Sequence, residues 1–273
     1  MDNSTRQRWQ HRLALGCLAL MLAVVASSAW LRLAQPRPVC AEWPQCRSAS
    51  LLPAPIEAAG SPALETAVRS VHRIAASLLL PIAGALAWLA WRSSPLLRMP
   101  VGLLLVLALA LAALGVITPG SRSPAVLLGN QLGGWLMLAL AWRLVRRTAA
   151  TRAAPAIAPL LRRMVMLTSL LWLLQAAIGA LSGAGLHASL PPWHLFIAGI
   201  VLSLTLLCGG WARQGPRARE GGALLLLAAM QAVLGIAAVI GAADATRVWV
   251  HAMVGAVGLA ALFGLLDNAD TTS

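Results

Sequence analysis

Long apolar runs alternate along the chain with short polar stretches rich in arginine, proline and glycine. Eight runs come close to or exceed the roughly 20 residues needed to cross about 30 Å of hydrocarbon. They fall at 13–33, 72–91, 99–118, 124–142, 164–182, 193–211, 222–242 and 247–266, and each predicts a membrane-spanning helix. The first run follows Arg6, Arg8 and Arg12 and closes on small residues at Ser27–Ala29, the layout of a signal peptide. Seven more spans follow it, so it reads as an uncleaved first helix.

Composition sharpens the class. Apolar residues make up 59% of the chain and charged ones 11%, which excludes an ordinary soluble domain and indicates an integral membrane protein. The net charge of +13 comes from arginines clustered between the runs. Such clusters are topology signals facing anionic lipid rather than a nucleic-acid patch. With the N-terminus inside, the inner segments hold most of them, from Arg6, Arg8 and Arg12 through Arg143, Arg146 and Arg147 to Arg213, Arg217 and Arg219. The positive-inside rule then puts both termini in the cytoplasm of a bacterial inner membrane. The loop 34–71, with its stretch "CAEWPQC", faces outward, where a Cys40–Cys46 disulfide is chemically permitted. Cys17 and Cys208 lie within spans and read as ordinary packing.

The polar residues that interrupt the runs are spaced regularly. His72 opens the second span and Asn130, 58 positions on, opens the fourth. His194 opens the sixth and His251, 57 positions on, opens the eighth. Gly115 precedes Asn130 by 15 residues and Gly235 precedes His251 by 16. The expected fold is therefore all-α: eight transmembrane helices in two pseudo-repeated four-helix bundles, 1–145 and 164–273, joined by an Arg-rich connector at 146–163.

Even-numbered spans all start from the outer face, so these four residues share one depth. An ionisable group there is costly without a partner and is a functional candidate. Two imidazoles at equal depth across a bundle interior suit axial ligation of a planar haem. Zinc fits less well, because two histidines without a supporting carboxylate or thiolate make a poor zinc site. His11 and His187 are expected to be interfacial or hydrogen-bonded residues instead.

Several stretches resemble the bacterial heme A synthase family across nearly the whole chain. "WLRLAQPRPVCAEWPQC" (30–46) is similar to its first-loop signature at Arg32, Leu33, Cys40, Trp43, Pro44 and Cys46, with Glu42 in place of Asp. "VHRIAA" (71–76), "NQLGG" (130–134), "WHLFIAG" and "VHAMVGA" resemble the starts of the even-numbered helices. "QAAIGA" (175–180) and "QAVLG" (231–235) resemble the motifs of the fifth and seventh.

The resemblance implies an eight-helix oxidoreductase that converts the C8 methyl of haem O to the formyl of haem A for respiratory oxidases. It implies haem b as electron-transfer cofactor on His194 and His251, His72 as ligand or orienting group of the substrate haem, and a redox-active or structural Cys40–Cys46 pair. Two family positions differ here: Asn130 stands for the second substrate-side histidine, and Arg69 for the glutamate three residues before His72. An amide is a poor iron ligand, and a guanidinium cannot serve as a carboxylate base. Glu65, one turn from Arg69, is the remaining candidate carboxylate. The rival reading is a haem-binding oxidase-assembly or b-type electron-transfer protein without the chemistry. A transporter ranks below both, because the spans lack Asp or Glu for ion coupling. Expected partners are haem O, membrane lipid, and haem O synthase or oxidase assembly factors, with a homo-oligomer open and nucleic acid excluded.

Overall fold

The computed structural model describes residues 2–34, 37–39, 50–52, 62–118, 121, 123–149, 156–184, 189–240 and 245–267. Eight helices hold nearly all of them: α1 (Asn3–Ala34), α2 (Pro62–Ser93), α3 (Pro95–Ile117), α4 (Pro124–Thr148), α5 (Pro159–Gly183), α6 (Leu190–Arg213), α7 (Ala218–Ile240) and α8 (Ala245–Leu265). Each is long and apolar enough to cross a membrane, so the chain is a multi-pass membrane protein of all-helical class. Prolines at N1 or N2 open α3, α4, α5 and α6, where the missing N–H costs no intrahelical bond.

Hydropathy located the helices but not their ends. The second starts at Pro62, ten residues before the apolar run, because Glu65 and Arg69 continue it above the apolar part. Between α1 and α2, strands β1 (Arg37–Val39) and β2 (Ser50–Leu52) pair antiparallel with Pro38 opposite Leu51. Three residues per strand are too few to leave a readable period-two pattern. Cys40 and Cys46, between these strands, lie outside the described residues, as does His187.

Neighbour contacts run α1–α2–α3–α4 with α4 closing on α1, and α5–α6–α7–α8 with α8 closing on α5. The halves meet where α4 and α1 pack on α8 and α4 packs on α5. Tryptophans fill this seam because glycines on α8 make room for them. A Cβ at Gly255 would come 2.7 Å from Trp135 Cη2, and one at Gly258 would come 2.6 Å from Trp172 Cζ2. Trp172 Nε1 donates to the Gly255 carbonyl at 2.8 Å, Gln131 Nε2 to the Ala176 carbonyl at 3.2 Å, and Trp249 Nε1 to the Ala26 carbonyl at 2.9 Å. These bonds use backbone acceptors on the facing helix, so they fix its height as well as its distance.

Charges close the far end of the bundle. Asp267, just past α8, accepts from Arg143 Nε at 2.5 Å and Arg147 Nε at 3.0 Å, and Arg146 reaches Glu220 at 2.8 Å. Arg217, only 1% exposed, donates to the Asp267 carbonyl and pairs with Glu220. His11 Nδ1 lies 3.1 Å from Thr148 Oγ1 at the same end, a hydrogen-bonded residue as expected.

Candidate functional site

At the opposite end of α4 and α8 from those charges, a cavity of about 950 Å³ opens into the bundle. Its size lies at the upper end of small-molecule sites. His72, Asn130, His194 and His251, which the sequence singled out by spacing, all line it. The sequence placed them in two separate halves, but residues from all eight helices share the one cavity. The tryptophans of the seam, Trp135 and Trp172, form part of its wall.

His72 reaches the cavity from α2. Its Nδ1 lies 3.2 Å from Ser27 Oγ on α1. The serine hydroxyl has a single proton, and the Ala23 carbonyl at 2.6 Å takes it. The Ser27 oxygen therefore accepts from Nδ1–H, which leaves the lone pair of His72 on Nε2. A histidine fixed in this tautomer by a partner behind it is prepared to act as a ligand.

In the other half each histidine has a glutamine from the preceding helix. Gln175 Nε2 on α5 lies 3.0 Å from His194 Nδ1 and donates to the His194 carbonyl at 2.9 Å. Gln231 Nε2 on α7 lies 3.1 Å from His251 Nε2. One turn beyond each glutamine is a glycine beside the same ring: a Cβ at Gly179 would come 2.7 Å from His194 Cε1, and one at Gly235 would come 3.5 Å from His251 Cε1. The pairing of a glutamine with a histidine was not read from the sequence. Its signal was present, since the partners stand 19 and 20 positions apart in the two helix pairs.

This set fits a haem. Gln175 Oε1, Gln231 Oε1 and His251 Nδ1 are buried without partners, the condition of polar groups that a bound group would engage. The donors are imidazoles in a largely apolar cavity, with no thiolate or carboxylate lining it among the described residues. No cluster of three or more His, Cys, Asp or Glu is present among the described residues, which disfavours a bare metal ion.

The substrate-side departures also have a place. Asn130 lines the cavity, and its side chain makes no hydrogen bond among the described residues. Arg69 lines it too, but its guanidinium holds the Glu65 carboxylate one turn back along α2. Glu65 is not a lining residue, so the one carboxylate within a turn of the Arg69 position is occupied elsewhere.

No curated protein matches the chain. Over residues 1–127, which carry α1, α2, α3, the Cys loop and His72, the chain matches the family model COX15-CtaA, described as cytochrome oxidase assembly protein, and the heme A synthase likeness read from its motifs holds there.

Proposed function

We propose that the chain is a membrane oxidoreductase of the heme A synthase type, acting on the haem O methyl in haem A biosynthesis for a respiratory oxidase. The family match supports a role in cytochrome oxidase assembly. The observation that carries the finer reading is one cavity lined by His72, His194 and His251, two of them held by glutamines and one by a serine. In this reading His194 and His251 would hold haem b, which would supply one-electron transfer. His72 presents Nε2 to the substrate haem, Asn130 offers an amide at the same depth, and the apolar walls exclude water from the reacting methyl. Both termini lie in the cytoplasm of the bacterial inner membrane, and Cys40 with Cys46 face outward as a disulfide.

A second reading is favoured by one specific feature. No carboxylate lines the cavity among the described residues, and Glu65 is engaged by Arg69. Proton movement at the methyl then lacks an evident acid or base. A haem-binding assembly protein without turnover has the same ligands and needs no such group. Expression with haem O supplied, followed by chromatography of the extracted haems, separates the two. Haem A above the empty-vector level establishes the enzyme, and haem O recovered unchanged establishes the assembly protein.

A further inference from the structure

Among the described residues, Arg32 is a cation without an anion. It sits in the last turn of α1, lines the cavity, and is partly buried. Its hydrogen bond is to Ser28 Oγ, one turn back, at 3.4 Å, and no carboxylate pairs with it among the described residues. The other guanidinium on the same wall, Arg69, is already neutralised by Glu65. Among the described residues Arg32 therefore leaves an uncompensated positive charge on a mostly apolar wall, near His72, whose Nδ1 is held by Ser27 of the same helix.

Such a charge is costly inside a membrane protein unless something in the cavity answers it. A guanidinium is planar, always charged and weakly hydrated, and its fork matches a carboxylate. Ser28, already at hydrogen-bond distance from Arg32, limits where that fork can point. Farther along α1 and α2 the lining is mostly apolar, with Val24, Val25 and Leu79, so the complementary molecule has an apolar body and a carboxylate at one edge.

We infer that Arg32, oriented by Ser28, is the seat for a carboxylate of the ligand in this cavity. The inference rests on the haem reading above for the identity of the ligand: the carboxylate is then a propionate at the macrocycle edge, and the body lies against His72. A long-chain fatty acid from the bilayer offers the same carboxylate on a different body. Because Arg69 stands where the resembled family has a glutamate, the mouth of this cavity carries one more positive group and one fewer negative group than that pattern.

The test compares acids with their esters on the full-length protein, purified in detergent after haem-limited expression. Protohaem and its dimethyl ester are titrated by absorbance, with His72→Ala as the reference for binding in this part of the cavity. Palmitate and methyl palmitate are titrated by calorimetry. Protohaem should bind at least about tenfold more tightly than its ester, the scale of one charge-assisted hydrogen bond. Arg32→Gln should erase that preference, and Arg32→Lys should keep part of it. The acid–ester comparison on the unaltered chain stands even where a variant misfolds. His72-dependent haem binding with no acid preference, or a preference surviving Arg32→Gln, overturns the carboxylate seat and leaves the haem reading intact. An Arg32-dependent preference for palmitate without haem binding keeps the seat and overturns the haem reading of this cavity. Equal binding of acid and ester for both ligands overturns the inference.

Discussion

Gln175 donates from Nε2 to the backbone carbonyl of His194 at 2.9 Å and lies 3.0 Å from that residue's Nδ1. One side chain thus fixes both the start of α6 and the ring it carries, whereas Gln231 on α7 meets His251 at the ring, 3.1 Å from its Nε2. An amide N–H occupies the imidazole lone pair that iron needs, so replacing either glutamine by alanine should remove a hydrogen bond of about 1 kcal/mol that competes with the metal and tighten haem binding by roughly fivefold. The helix should remain. Haem titration with circular dichroism on the same samples checks both outcomes.

The glycines beside the rings should not be equivalent. Alanine at Gly179 places a Cβ 2.7 Å from His194 Cε1, so the ring must move. At Gly235 the corresponding contact is an ordinary 3.5 Å. Gly179→Ala should therefore lose the low-spin haem spectrum while still folding, and Gly235→Ala should retain it. Equal behaviour of the two variants would show that ring placement is not set by these contacts.

Much of this was legible in the sequence, for identifiable reasons. Apolar run length reported the eight helices, because hydrocarbon thickness sets a minimum length that few other folds require. The near-equal spacing of His72 to Asn130 and of His194 to His251 singled out all four residues, but placed them in two halves, and only the packing of the halves brings them to one cavity. The ends of α1 and α2 were not legible, since residues beyond the bilayer can be helical without being apolar. Ser27 and Ser28 stood out in the sequence only as small residues closing the first run, because a serine in an apolar helix looks the same whether it bonds its own backbone or a facing ring. Glu65 and Arg69 were read as lying on one helical face, but their mutual pairing became visible only in the side-chain geometry.

At the charged end, Asp267→Ala should destabilise the bundle by about 2 kcal/mol, because Arg143 and Arg147 lose a shared, mostly buried counter-ion. That end is a full helix length from the histidines. Thermal unfolding in detergent should shift to lower temperature while the haem spectrum of the folded fraction stays unchanged.

The proposed outward-facing orientation of the loop with Cys40 and Cys46 predicts that a membrane-impermeant thiol reagent labels them in intact cells only after reduction. Labelling without reductant would show free thiols. Labelling from the cytoplasmic side alone would invert the proposed orientation.

If the substrate side has lost its chemistry through Asn130 and Arg69, restoring both should bring it back. Asn130→His with Arg69→Glu should raise haem A formation above the weak or absent level expected of the unaltered chain. Arg69→Glu also releases Glu65, so Glu65→Gln in that background tests which carboxylate acts. Robust haem A formation by the natural sequence, unchanged by either substitution, would show that neither position matters.

The central claim is that His194 and His251 together hold a haem, and the absorption spectrum of the purified full-length protein from haem-replete cells tests it most directly. A low-spin bis-imidazole spectrum should be present, should disappear in both His194→Ala and His251→Ala, and should survive His11→Ala, whose ring is engaged by Thr148 at the other end. A colourless protein, or a spectrum that persists in either of the first two variants, contradicts it.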